Sequence, residues 1–218
     1  LLEQATQFIN VKKAQEAFGV TGAGLTAAVL DTGINADHVD FHGRIVVRRN
    51  FTGGGALETG DRVGHGSNVA GIIAAKKNDY LVHGIAFNAQ VLAVDFFSNV
   101  NQRLIYQDNV LYHLSDPWTY LASNGAKIVN MSYGYEASDI ISNPPVVSEA
   151  YVTESPAQAV YRAMLLVSSA GNAGGPNPSL ANQDIIDELT AQNKLNGGPG
   201  ALIIAGSVRA SNQISSFS

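Results

Sequence analysis

Cysteine is absent from the 218-residue chain, so no disulfide can hold it together and a packed core must do so instead. That absence does not fix a compartment. Positive charge is scarce: 13 Lys and Arg stand against 18 Asp and Glu, for a formal net charge of −5. Nucleic acid is therefore not an expected partner, because gripping phosphates takes a basic surface. No apolar stretch approaches the length that spans a bilayer. Charged residues make up only 14% of the chain against 45% hydrophobic, which excludes a disordered segment and fits a globular protein with a sizeable core. Internal repeats and composition shifts are also missing, so a single domain over 1–218 is expected. No signal peptide is visible, the first residue is Leu1, and Ser211 to Ser218 carries no capping element. Sequence is therefore expected to be missing at both ends.

What the chain does hold is an alternation of short apolar runs and helical patterns. The runs Leu25 to Leu30, Arg44 to Phe51, Gln90 to Phe97, Lys127 to Ser132, Leu165 to Ser169 and Ala201 to Val208 read as strands. Helical patterns lie between them: Asn10 to Phe18 (with Asn10 as N-cap and Val11, Ala14 and Phe18 on one face), Ser67 onward, Arg103 to Asn124 with a restart at Pro117, Ser155 to Ala163, and Asp184 to Ala191. Such spacing suits right-handed βαβ crossovers and predicts an α/β fold with parallel strands. The 22 glycines fall mostly where strands end and mark turns and close backbone approaches.

Two glycine patterns invite a nucleotide-binding reading, and both fail. Gly22-Ala23-Gly24-Leu25-Thr26-Ala27 precedes a strand, whereas a dinucleotide fingerprint follows one. Gly53-Gly54-Gly55 lacks the Lys-Ser/Thr of a phosphate cradle. His38 and His42 are four apart, but Asp40 and Gly43 make their segment a turn, so the spacing does not make a metal pair.

Three polar residues stand at strand ends or helix starts. Asp31 closes the first apolar run, where an open α/β sheet places its chemistry, although an Asp there reads equally well as the cap of a turn. His65 precedes a helix of small and apolar residues that must be buried, and Gly66 and Gly71 in it point to close backbone packing. Asn172 follows the run Leu165 to Ser169.

Taken in order, Asp31-Thr32-Gly33, His65-Gly66-Ser67-Asn68-Val69-Ala70-Gly71, Asn130-Met131-Ser132-Tyr133-Gly134 and Ser169-Ala170-Gly171-Asn172 resemble the successive motifs of the subtilisin-like serine proteases. The resemblance covers the chain from about residue 10 to its end. It implies an α/β, three-layer subtilisin-like fold with a mostly parallel central sheet flanked by helices, its C-terminal part lying outside this chain. It implies a serine endopeptidase in which Asp31 orients the base, His65 is the general base and Asn172 donates its side-chain amide to the oxyanion. Ser132, Tyr133 and Gly134 would pair with an extended substrate, with Ala170 and Gly171 beside it. Asn68 stands where a second His is common in the family, and Tyr133 where Leu is usual. The loops are more like those of secreted or autotransporter bacterial members, which places the protein outside the cell or on its surface.

The nucleophile is missing from this pattern. The family's serine lies in a Gly-Thr-Ser-Met-Ala-type motif at a helix start, and the chain has none. Ser207 ends a strand, Ser67 is too near His65 along the backbone, and Ser218 is terminal. Either the serine lies beyond this chain, which would then be inert alone and would need its own C-terminal segment as a partner, or the protein is a non-catalytic module that binds extended peptides. The other expected partner is a peptide or protein substrate. No cofactor and no metal are expected. The alternative is a structural Ca²⁺, because Asp40 and Asn78 resemble family ligands, but Lys76 and Lys77 beside them oppose a cation.

Overall fold

The computed structural model describes residues 2–50, 60–61, 63–79, 83–95, 117–132, 157–171, 180–191 and 201–206. The chain packs as two compact units, Leu1–Arg103 and Leu104–Ser218.

In the first unit, helices α1 (Leu2–Phe8) and α2 (Val11–Phe18) lead into strand β1 (Thr26–Asp31). A 3-10 turn (Val39–Phe41) then precedes β2 (Ile45–Asn50), α3 (His65–Ala74) and β3 (Gln90–Asp95). Strand β3 lies between β2 and β1 and is parallel to both. Register pairs Thr26 with Gln90 and runs through to Asp31 with Asp95, while Asn50 also pairs with Asp95. Three polar residues thus share the carboxyl edge of this sheet, and all three are buried.

Burial explains why β1 and β3 read as continuous apolar runs. Ala28, Val29, Leu30, Val91, Leu92, Ala93 and Val94 have no exposed surface. On one face, Val29, Val91 and Ala93 form a core with Ala70 and Ala74 of α3, joined by Ile34, Phe41 and Ala89. The small side chains of α3 let it lie close. At its far end no side chain fits at Gly84, where a Cβ would stand 2.5 Å from the Ala74 nitrogen. Gly22 is equally confined: its φ is +83°, and a Cβ there would meet those of Ala86 and Ala89 at 2.8 and 2.9 Å. This glycine leads into a strand and opens no helix, in keeping with the rejected dinucleotide fingerprint.

Several expectations change. Helix α2 has Asn10 at its N-cap position, but Asn10 is left-handed (φ 59°) and its side chain makes no capping bond. None of the residues of α2 is buried, and Phe18 is 78% exposed, so the apolar face covers no core among the described residues. The helix is held instead by the Gly19 N–H on the Gln15 carbonyl and by Gln15 Nε2 on the Ile85 carbonyl at 2.8 Å. The stretch read as a polar loop from Ile34 to Gly43 contributes two core residues, Ile34 and Phe41. Gly71 also departs from expectation: a Cβ there meets nothing within 4 Å among the described residues, so close packing is not its reason.

The second unit holds α4 (Pro117–Ser123), β4 (Ile128–Met131), α5 (Ala157–Tyr161), β5 (Leu165–Ser169), α6 (Leu180–Ala191) and β6 (Ala201–Ala205). Strand β5 lies between β4 and β6, parallel to both. Helix α5 packs against α4, α6 and β5. Trp118, Leu121, Val160, Met164, Leu166, Ile185 and Leu189 are buried there, and Asn182, Ile185 and Leu189 share one face of α6 by their i, i+3, i+7 spacing. Pro117 stands in the first turn of α4, as the sequence suggests. The expected elements and loops over Arg103 to Asp116, Ser138 to Glu154 and Thr52 to Thr59, and the strand ends at Phe51, Phe97 and Val208, lie outside the described residues.

The two helix-region glycines predict opposite outcomes in this chain. Gly71→Ala, in open space inside a helix, is expected to stabilise by up to about 1 kcal/mol. Gly84→Ala forces a methyl into backbone atoms and is expected to destabilise by about 1–3 kcal/mol. Urea unfolding of both variants checks the pair, and equal effects would show that the glycine environments are misread.

Candidate active site

The residue pair is set by where two elements stop and start. β1 ends at Asp31 and α3 begins at His65, two residues earlier than the sequence pattern implies. Gly66 makes their meeting feasible. A Cβ on it would stand 2.1 Å from the Gly33 carbonyl oxygen, 3.1 Å from Asp31 Cβ and 3.2 Å from Asp31 Oδ1. The first turn of α3 therefore rests on the backbone that follows β1.

At that contact His65 Nδ1 lies 2.7 Å from Asp31 Oδ1, and the Thr32 N–H donates to the same oxygen at 2.8 Å. Asp31 is buried, whereas the His65 side chain is 52% exposed. Because a carboxylate only accepts, Nδ1 carries the shared proton and Nε2 is the ring nitrogen left to accept another. Asp31 Oδ2 is buried with no partner among the described residues.

A second carboxylate, Asp61, ties the surrounding backbone. Its Oδ1 accepts from the Val63 N–H (3.1 Å), the Gly64 N–H (2.7 Å) and the Thr32 hydroxyl (2.8 Å). Its Oδ2 accepts from the Ser67 N–H at 2.8 Å. The Thr32 hydroxyl oxygen in turn accepts from the Gly66 N–H at 3.0 Å, and Ser67 Oγ accepts from the Asn35 N–H at 2.9 Å. Burial pushes the Asp61 carboxyl up, but bonds from the Ser67 backbone and hydroxyl, the Gly64 N–H and the Thr32 hydroxyl outweigh it and hold the group below its ordinary value. Sequence reasoning passed over Asp61 as part of a glycine-rich loop. The available signal was an acid just ahead of a helix whose N-cap, Gly64, has no side chain to satisfy the first amides.

The remaining predicted residues are distributed as follows. Ser132 follows β4, and Ala170 and Gly171 follow β5, so the three stand at the carboxyl ends of neighbouring parallel strands in the second unit. Ser132 Oγ accepts from Asn130 Nδ2 at 2.8 Å, the Ala170 N–H donates to the Ala205 carbonyl at 2.9 Å, and Gly171 has φ 100°. Asn172, Tyr133 and Gly134 lie outside the described residues, as do Ser207 and Ser218. Asp40 and Asn78 do meet, Asn78 Nδ2 donating to Asp40 Oδ1 at 2.8 Å. His38 and His42 are each engaged locally: His38 Nδ1 accepts the Asp40 N–H at 3.3 Å, and His42 Nε2 lies 3.1 Å from the Asp37 carbonyl.

A parallel α/β protein with a buried carboxylate holding Nδ1 of a half-exposed histidine, strand end to helix start, is a narrow class. A family profile described as the subtilase family matches residues 22–218. The chain belongs to that family, the subtilisin-like serine proteases. It is 31% identical over 215 residues to the major intracellular serine protease of Bacillus subtilis, covering 96% of this chain and 60% of that protein. It is 32% identical over 181 residues to alkaline protease 1 of Aspergillus clavatus (80% of this chain, 39% of that one) and 27% over 169 residues to thermitase of Thermoactinomyces vulgaris (77% and 54%). The chain thus spans 60% or less of each of these relatives.

Two outcomes follow from the geometry. Gly66→Ala drives a methyl into the Gly33 carbonyl and is expected to cost about 3 kcal/mol or more and to part Nδ1 from Asp31, read by unfolding and by loss of the hydrogen-bonded Nδ1 proton signal. Asp61, lowered on folding from 3.8, contributes stability that is complete above 3.8 and is lost as pH falls through its depressed folded value. The stability gap between wild type and Asp61→Asn should therefore shrink as pH drops through that window. A gap that stays constant would show that the Asp61 carboxylate is not what those bonds stabilise.

Proposed function

We propose that this chain supplies the acid and base of a serine endopeptidase, with the nucleophilic serine lying outside these 218 residues. The single observation that carries the reading is the 2.7 Å bond between buried Asp31 and His65 Nδ1. It leaves Nε2 to take the proton from a serine hydroxyl as the oxygen attacks a peptide carbonyl carbon. Asp31 then stabilises the imidazolium, and the proton passes to the leaving amine as the carbon–nitrogen bond breaks. The oxyanion is held by the Asn172 side-chain amide. Ser132, Tyr133 and Gly134 pair with the extended substrate backbone, and Ala170 and Gly171 line its other side. Support for a serine beyond the chain comes from the absence of a Gly-Thr-Ser-Met-Ala-type motif within it, and from Ser67 Oγ being occupied with the Asn35 N–H and Asp61.

The test is to express the protein extended through its own reading frame and treat it with a serine-directed phosphonate. Stoichiometric labelling is expected, with Asp31→Asn lowering kcat/KM for a peptide substrate on the order of 10⁴-fold and His65→Ala on the order of 10⁶-fold. An Ala or Gly at the nucleophile position, or an unlabelled protein that binds peptide equally well with and without His65, would overturn the reading in favour of a non-catalytic peptide-binding module.

A further inference from the structure

From the bond pattern around the first turn of α3 we infer that Asp61 is a positioning residue for the Asp31–His65 pair, an inference that rests on the catalytic reading of that pair. Asp61 accepts from two hydroxyls and three backbone amides, and none of these bonds reaches the imidazole. Their placement is what matters. His65 lies between Gly64 and Gly66. The Gly64 N–H is fixed on Asp61 Oδ1 at 2.7 Å, and the Gly66 N–H on Thr32 Oγ1 at 3.0 Å. The Thr32 hydroxyl itself donates to Asp61 Oδ1 at 2.8 Å. Thr32 is bonded in sequence to Asp31, and its N–H donates to the Asp31 oxygen that holds His65. One carboxylate therefore joins the peptide that presents the acid to the peptides that present the base.

The alternative anchors are weak. Gly64 occupies the N-cap with φ 91° and offers no side chain, so without Asp61 the Gly64 and Ser67 amides lose their acceptor. Gly66 sets how closely the two backbones approach, but a hard contact does not fix rotation or sliding. Asp61 supplies the directional bonds that do. The His65 side chain is half exposed, so packing constrains its ring only in part and the backbone frame contributes to the orientation of Nδ1.

The test uses the protein extended through its own reading frame and uniformly ¹⁵N-labelled, in wild type, Asp61→Ala, Asp61→Asn, Thr32→Val and Asp31→Asn forms. Circular dichroism confirms folding of each. The expected result is a downfield, exchange-protected His65 Nδ1 proton in wild type that Asp31→Asn removes. In folded Asp61→Ala it broadens or disappears while Gly64 and Ser67 amides exchange about tenfold faster. Asp61→Asn keeps one acceptor oxygen and is expected to fall between wild type and Asp61→Ala. Thr32→Val, which cuts the link to Gly66, should shift the signal in the same direction and decides the matter if Asp61→Ala does not fold. An unchanged Nδ1 signal in folded Asp61 or Thr32 variants, with Asp31→Asn still removing it, overturns this inference and leaves the catalytic reading standing. A wild-type chain with no Asp31-dependent signal overturns both.

Discussion

The hydrogen bond between Asp31 and His65 depends on a distance that side chains alone cannot set. Asp31 has one carbon between its carboxylate and the backbone, so its reach is short. To come within 2.7 Å of Nδ1, the end of β1 and the start of α3 must lie nearly in contact. Gly66 permits that approach, because any side chain there would overlap the Gly33 carbonyl. Farther along α3, Ala70 and Ala74 repeat the same condition against Val29, Val91 and Ala93. The helix is thus pressed onto the sheet along its length by small residues, and the acid–base contact is the first step of that packing. A larger residue at any of these points would tilt α3 and lengthen the bond without touching either polar side chain.

Burial divides the labour between the two partners. Asp31 is almost fully enclosed, and an enclosed carboxylate is costly unless hydrogen bonded, so it holds its donors tightly. His65 is more than half exposed and keeps a face toward solvent. A rigid carboxylate and an accessible imidazole suit the proton transfer proposed for the pair. The carboxyl ends of β1, β2 and β3 gather Asp31, Asn50 and Asp95 at one buried edge, so the polar end of this sheet is confined to the side where the acid meets the base.

How much of this was legible in the sequence follows from what each feature depends on. β1 and β3 were legible because strands buried on both faces must be apolar throughout. Asp31 and His65 were legible because each interrupts such a pattern at an element boundary, inside a motif with a recognisable order. Helix α2 misled for the opposite reason. An apolar stripe such as Val11, Ala14 and Phe18 shows that a face exists, not that anything in this chain covers it, and among the described residues nothing does. Gly66 and Gly71 look alike in sequence, five residues apart in one helix, yet one meets a carbonyl and the other meets nothing among the described residues. Only the position of the neighbouring backbone tells them apart.

Asp61 carries that point furthest. It and Asp31 are the same residue type within one hydrogen-bonded cluster, and each accepts from Thr32, one from its N–H and the other from its hydroxyl. Asp31 ends a strand and meets a ring nitrogen, while Asp61 leaves a glycine-rich loop and meets backbone amides. A carboxylate facing one imidazole can share a proton's charge during a reaction. A carboxylate facing three amides and two hydroxyls is fully spent on holding them and is pulled below its ordinary pKa in doing so. The second arrangement has no sequence signature beyond an acid near a helix start, because its donors are chosen by the fold and not by spacing. It nevertheless bears on the first: the amides it accepts, those of Val63, Gly64 and Ser67, flank the histidine, and the Thr32 hydroxyl it accepts follows the acid and itself takes the Gly66 N–H. The site is therefore a pair of carboxylates in series, Asp31 bonded to the imidazole and Asp61 bonded to the backbone that carries it.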